Sequence, residues 1–240
     1  MVKKAVIVAA GRGIRLEELT DEIPKPLVAI TENAKIIDFI FEGLKESGIY
    51  EVGVVIGYEG GKIKEYLTKR YSKTFSLSFV KNDEWTLGNG YSLYKAKDIV
   101  NEGENFLLLM SDHIISYKIL DIVSSAKYHY CLGVDKRIDE VFDIDDATKV
   151  LLGENNKISA IGKELINYNA VDIGVFKLNY DIFHIAEGVL NSGADSISNI
   201  MNELIKQSLF YGVPIGNDSF WIDLDTKESI NYFIRRRKNA

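Results

Sequence analysis

Three stretches of this chain, "KAVIVAA" (4–10), "EVGVVIGY" (51–58) and "NFLLLM" (105–110), are apolar over nearly the whole length of a strand. A strand that is apolar at every position, not at every second one, has to be covered on both faces, which is the pattern of a parallel sheet. The segments between them carry helical spacing. Ile36, Ile37, Ile40, Phe41 and Leu44 share one stripe of a helix over 35–47 that Gly48 closes, and Ile63, Tyr66 and Leu67 mark a second helix. "FSLSFV" alternates like a strand with one wetter face, and 91–99 reads as a short helix. The alternation predicts an α/β fold with a doubly wound, mostly parallel sheet, and ligands at the carboxyl ends of its strands.

Beyond residue 140 the pattern changes. "ATKVLLGENNKISAIGKEL" predicts two short strands joined by a turn at Glu154-Asn155-Asn156, and "NAVDIGVFKL" a further strand. Helical stripes follow near 180–191 and 196–208, then a strand around "SFWIDLD" and a short terminal helix. With 240 residues, no repeats and three prolines, the chain suits one domain of 1–240 whose second half adds a smaller β-rich lobe to the same sheet. A net charge of −6 argues against a nucleic-acid or membrane-surface partner, since polyanions call for a basic surface. The basic run Arg235, Arg236, Arg237 and Lys238 reads as a solvated last helical turn. Cys131, the lone cysteine, sits in the apolar "YCLGV" and reads as a buried strand residue of a reducing compartment. The apolar run at the start is too short for a signal peptide, and no stretch reaches bilayer-spanning length, so a soluble, cytoplasmic protein is expected.

Straight after the first strand comes "GRGIRLEELTDEIPKPL". Gly11 and Gly13 lack the third glycine of a dinucleotide fingerprint, because that position holds Leu16, and no Gly-Lys-Ser/Thr is present for a P-loop. What remains is G-x-G-x-R, followed by a lysine held between two prolines, Pro24-Lys25-Pro26. Glycine lets the backbone approach a ligand with its N–H groups free, Arg15 offers a planar fork to phosphate oxygens, and Lys25 a point charge. A tight turn with a solvent-facing arginine would explain either half alone. The two halves together, behind the first strand, point to a nucleoside triphosphate.

Carboxylates form the second constellation. Asp112 in "LLLMSDH" follows an apolar strand, so it belongs at the sheet's carboxyl edge; its plain alternative is a cap for a helix near 117–126. In "WIDLDT", Asp223 and Asp225 stand two apart, on one face of a strand. A divalent ion bridging phosphates needs one or two protein carboxylates, and Asp112 with Asp223 would supply them. Asp225, followed by Thr226, reads as the cap of the final helix and stands as the alternative ligand.

Together these residues resemble the sugar-1-phosphate nucleotidyltransferases over residues 5 to about 230: G11-x-G-x-R15, Pro24-Lys25-Pro26-Leu27, the strand-end aspartate and a late W-x-D. Within that superfamily "GNGYSL", "SDH", "DATKV", "IGKEL", "VDIGVF" and "WIDLDTKE" look like the CTP:inositol-1-phosphate cytidylyltransferases. One departure is the longer acidic spacer "EELTDEI" before the P-K-P segment. The resemblance implies a Rossmann-like nucleotidyltransferase fold with a nucleotide-binding half about 1–135 and an acceptor-binding half about 136–240. It implies Mg²⁺ at Asp112 and Asp223, and transfer of CMP from CTP to inositol 1-phosphate, releasing pyrophosphate. The backbone of Ala9, Ala10, Gly11 and Gly13 would face the nucleotide, with Gly88, Asn89 and Asn82 near the base. Arg15 would hold the β- and γ-phosphates, Lys25 the α-phosphate, and Lys163 of "IGKEL" the acceptor's phosphate. Asn89, Thr148, Lys149, Asn169 and Asp172 would wall the inositol ring. Some members of that family continue into a membrane-embedded synthase, so a separate membrane synthase is expected to use the product here. A homodimer is left open.

Two rivals remain. A phosphocholine cytidylyltransferase would use rings such as Tyr91, Tyr168, Phe220 and Trp221 around a quaternary ammonium, although such rings also serve as ordinary packing. A non-catalytic relative would be expected to have lost Asp112 or Lys25, and both are present. His113 reads as a support for the metal surroundings, and His129 and His184 lack partners at zinc-ligand spacing.

Overall fold

The apolar runs become the middle of a sheet. The computed structural model describes residues 2–238. In chain order it forms β1 (Lys4–Ala9), α1 (Ile36–Glu46), β2 (Glu51–Ile56), α2 (Gly60–Tyr71), β3 (Ser76–Lys81), α3 (Asn89–Lys95), β4 (Asn105–Met110), β5 (His113–Ile115) and α4 (Tyr117–Ser125). The second half adds β6 (Cys131–Asp135), β7 (Lys149–Leu152), β8 (Ile158–Gly162), β9 (Ala170–Asn179), α5 (Ile182–Asn191), α6 (Ile197–Lys206), β10 (Tyr211–Pro214), β11 (Trp221–Asp223) and α7 (Lys227–Lys238). No helix among the described residues is long and apolar enough to cross a membrane.

The path across the main sheet runs β10-β6-β9-β4-β1-β2-β3. β1 pairs in parallel with β2 and β4, and β2 with β3, while β9 runs antiparallel to both β4 and β6. The sheet is therefore mostly parallel, and β9 is the strand that joins the second half of the chain to the first. β7 and β8 form a hairpin that hangs from the start of β9. A separate two-stranded ribbon, β5 with β11, sets Trp221 opposite Ile115 and Asp223 opposite His113.

Burial follows the sequence pattern. Along β1, Val6 and Val8 enter one core with α3, α5 and α6, while Ala5, Ile7 and Ala9 enter the other with α1, α2 and α4. At roughly 25 cal/mol per Å² of apolar surface removed from water, these two layers dominate the stability of the fold. All five residues of the α1 stripe are buried. Asp38 starts α1 by accepting the Lys35 N–H at 2.8 Å, and the hydroxyls of Tyr66 and Tyr71 each donate to it at 2.7 Å, tying α2 to α1. Gly48, at φ 69°, ends α1 in a conformation that costs other residues free energy. A third apolar cluster, including Leu16, Phe39, Ile222, Leu224 and Phe233, fastens the first loop, the β5–β11 ribbon and α7 together. The two strands that the apolar pattern did not announce, β5 and β10, have three and four residues, too few to carry a period.

Candidate active site

Four chain segments meet at the carboxyl end of β1 and β4. After β1 the chain passes Gly11 and Gly13 into a 3₁₀ turn, Ile14–Thr20, and a second one, Lys25–Leu27, follows. Gly13 sits at φ 72°, and a β-carbon there would lie 2.7 Å from Cβ of Lys25. Only glycine fits, and its absence of a side chain lets Lys25 pack under the loop at 5% exposure. β4 delivers Asp112 past its end, whose carbonyl accepts the N–H of Leu224 at 3.0 Å. That bond carries Asp223 and Asp225 to the same edge.

The charged side chains form one continuous run. Lys163 Nζ donates to Asp146 at 2.7 Å, and Asp146 also takes Arg15. Arg15 grips Asp225 with its other prong, Asp225 reaches Lys25, and Lys25 Nζ donates to Asp112 at 2.8 Å. Asp112 then meets His113 Nδ1 at 2.8 Å. The three cations expected from the sequence are therefore linked through alternating carboxylates along one wall.

Electrostatics follow from that packing. Burial works to depress the Lys25 ammonium, but Asp112, Asp223 and Asp225 overcome it and hold it above its ordinary value. Burial works to raise Asp112, and Lys25 with His113 outweigh it, keeping the carboxyl well below the usual range. Asp223 goes the other way: burial and the neighbouring carboxylates Asp112 and Asp225 raise it, against the pull of His113 and Lys25. His113 is pushed up to about 9, because Asp223, Asp112 and Asp172 outweigh its burial. Burial lifts Asp172 to about 6, its N–H contact from Gly174 notwithstanding.

The arrangement fits a cation. Asp223 Oδ1 is buried and lacks a hydrogen-bond partner, with Lys25 Nζ and His113 Nδ1 no nearer than 3.9 Å. One ligand atom each from Asp112, His113 and Asp223 lie within 4.8 Å of one another. An orphaned carboxylate oxygen facing a second carboxylate and an imidazole is a costly arrangement unless a positive ion completes it. His113, expected as a support, thus stands among the possible ligands themselves.

A cavity of about 660 Å³ opens beside this wall. Among the residues singled out from the sequence, its lining includes Arg15, Asn89, Asp112, Thr148, Lys163, Asp172, Asp223 and Asp225, and also His113, Arg236 and two of the four rings, Phe220 and Trp221. Ala9 and Ala10 are buried under the first loop, and Gly11 has open space where a β-carbon would stand.

Other expectations need correction. Asn82 is turned inward and fully buried, its amide donating to Ser92 Oγ and its carbonyl accepting the Glu84 N–H, both at 3.0 Å. Gly88 is glycine because the chain at Asp195 presses on it, a β-carbon there lying 2.2 Å from the Asp195 carbonyl. Asn169 is spent on the main chain of Leu152, at 2.8 and 2.9 Å, and Lys149 on the Asp145 carbonyl at 2.8 Å; neither lines the cavity. Asp225 does not cap α7. Thr226 does, its hydroxyl accepting the Ser229 N–H at 3.1 Å, which releases Asp225 for Lys25 and Arg15. Asp112 caps no helix either, since α4 starts after Ser116. Sequence reasoning missed Asp146, Asp135 and Arg137, whose roles exist only in the folded contacts.

The nucleotidyl transferase family profile matches residues 4–133, the half of the chain that carries β1, the glycine loop and Asp112. The chain belongs to the nucleotidyl transferase family. A bifunctional IPC transferase and DIPP synthase of Aquifex aeolicus is 33% identical over 96% of this chain and 50% of its own length. A CTP:phosphoglutamine cytidylyltransferase of Campylobacter jejuni is 31% identical, covering 73% of each protein. The chain spans about half the length of the bifunctional relatives it matches. In shape, this nucleotidyltransferase follows the inositol-1-phosphate CTP transferase of T. maritima with a TM-score of 0.86, over 100% of this chain and 97% of the other, at 23% identity.

Proposed function

We propose that this nucleotidyltransferase transfers CMP from CTP to inositol 1-phosphate, giving CDP-inositol and pyrophosphate. The observation that carries the reading is the unbroken run from Lys163 through Arg15 and Lys25 to Asp112. A phosphate oxygen of the acceptor forms the new bond to the α-phosphorus of CTP, and the bond to the β-phosphate oxygen breaks. The nucleophile is already an anion, so no base is required. The obstacle is repulsion: unit charges 4 Å apart oppose each other by about 4 kcal/mol at an effective dielectric near 20. Lys163 meets the acceptor's phosphate, Lys25 the α-phosphate, and Arg15 the departing pyrophosphate, each leaving a carboxylate to do so.

Mg²⁺ is the ion we assign to Asp112 and Asp223, with His113 beside them; it supplies positive charge to the transferring phosphoryl group. Ala9, Ala10, Gly11 and Gly13 belong to a nucleotide-binding half about 1–135, and Asn89, Thr148, Lys163 and Asp172 border the acceptor, mostly in the half about 136–240. We place the reaction in the cytoplasm and infer that a membrane synthase consumes CDP-inositol. The bifunctional IPC transferase relatives, with their second named activity, support this choice of acceptor and consumer, and the CTP:phosphoglutamine cytidylyltransferase relative supports the nucleotide alone.

Pyrophosphate release is the assay: four nucleoside triphosphates against inositol 1-phosphate, phosphoglutamine, phosphocholine and glucose 1-phosphate, with and without Mg²⁺. The expected product forms from CTP and inositol 1-phosphate with the metal. A faster reaction with another pair would replace the assignment by that pair.

A further inference from the structure

Beside the possible metal ligands stands a partly buried bracket that the proposed chemistry does not use. Asp135, the last residue of β6, is 3% exposed. Its Oδ1 accepts the N–H of Arg137 at 2.9 Å and Arg137 Nε at 3.0 Å, and its Oδ2 accepts the second prong of Arg137 at 2.8 Å. The same Oδ2 accepts the indole N–H of Trp221 at 2.9 Å. Arg137 continues onward, donating to the carbonyls of Asn217 and Ser219, both at 3.1 Å. One guanidinium thus fastens the end of β6 to the loop that enters β11.

The fastening reaches the metal ligands within one residue. The Trp221 ring lies nearly parallel to that of His113, 6.1 Å between centroids and 11° between planes. Elsewhere the His113 ring meets Gly174, at φ 72°, where a β-carbon would stand 2.7 Å from the imidazole. Across the ribbon, Asp223 is in register with His113. A shift of the loop at 217–219 or of the indole therefore moves His113 and Asp223 together.

We propose that Asp135, Arg137 and Trp221 are positioning residues that set the spacing of Asp112, His113 and Asp223 for a divalent ion. The inference rests on the metal-dependent reading of the site given above. Its physical basis is the intolerance of a small ion for misplaced oxygens: Mg²⁺ demands near-ideal octahedral geometry. A buried ion pair is a poor source of stability, since apolar residues of equal volume serve as well or better, so its use here is geometric. Arginine is required because only its planar fork can pair with Asp135 in two places and still reach two carbonyls.

The test is Mn²⁺ binding to the full chain without nucleotide or acceptor, read from the loss of the free-ion paramagnetic resonance signal, with far-UV circular dichroism on each protein. Leaving out the acceptor matters because all three residues border the cavity. Arg137→Met is expected to weaken Mn²⁺ binding about 10–100-fold. Arg137→Lys keeps the charge yet loses the fork, and is expected to recover little of it. Trp221→Phe keeps the ring and deletes only the N–H, and is expected to bind several-fold more weakly than the parent. Should Arg137→Met fail to fold, the other two variants decide the question. Folded variants that bind Mn²⁺ within about twofold of the parent would overturn the bracket's role. A parent protein that takes up no Mn²⁺ would instead overturn the metal site itself, a distinct result.

Discussion

Asp146 offers the sharpest perturbation of the cation wall. It lies between Arg15 and Lys163, which the proposed reaction gives to opposite reactants, so its carboxylate occupies both cations that the phosphates of CTP and of the acceptor are to claim. Burial works to raise Asp146, but bonds from Lys163 and Arg15 outweigh it and hold the carboxyl below its ordinary value. Asp146→Asn removes the competing charge while keeping the shape. The pairs are half exposed, at 48% and 49% for the two cations, so each is worth only about 0.2–1 kcal/mol. Releasing one of them per substrate should tighten each by up to about 1 kcal/mol, at most about fivefold. Calorimetric titration with a CTP analogue that cannot transfer, and separately with inositol 1-phosphate, measures both gains. The gain should shrink as salt is added, since exposed pairs are screened. Weaker binding of both ligands by Asp146→Asn would refute the reasoning, because Asp146 would then be holding the cations in place for the phosphates.

Lys163→Ala should lower turnover far more than CTP affinity, because that charge meets the acceptor; steady-state kinetics with CTP binding measured apart would show the split, and equal losses would contradict it. Gly13→Ala should destabilise the protein by about 1 kcal/mol or more and reduce activity, since the new methyl meets Lys25 in a left-handed turn; urea unfolding and initial rates check both. Because burial raises Asp172 to about 6, the folded chain keeps a proton there that the unfolded chain has released above about pH 4. This group therefore makes stability fall as pH rises from about 4 to 6, and Asp172→Asn should flatten that part of the urea-unfolding profile. An unchanged slope would show that the carboxyl is not raised.

The layered fold was legible because β1, β2 and β4 are apolar at nearly every position, and α1 keeps its stripe on one face. β5 and β10 escaped because they owe their pairing to partners far along the chain, not to their own sequence. Arg15, Lys25 and Asp112 were readable from strand ends and from the glycine and proline around them, and Lys163 only through the resemblance that "IGKEL" carries. Asp146 was not, as it sits among Asp143 and Asp145 in a loop with no period to single it out. Asn82 and Gly88 show the converse error. Their residue types suit ligand contact, yet one ties its own loop to Ser92 of α3 and the other yields space to Asp195. Asp225 was misread through its neighbour: an Asp-Thr pair ahead of a helix offers two possible caps, and tertiary charge decides which is used.

The narrow β5–β11 ribbon would give the proposed ion a second role. Asp112 and His113 belong to the first half of the chain and Asp223 to its far end, joined by the ribbon's backbone bonds, the apolar cluster beneath α7 and the ion pairs of Asp225. A cation gripping all three would act as a removable rivet across a very long loop, so chelation should loosen the tail around α7 first and leave the central strands intact.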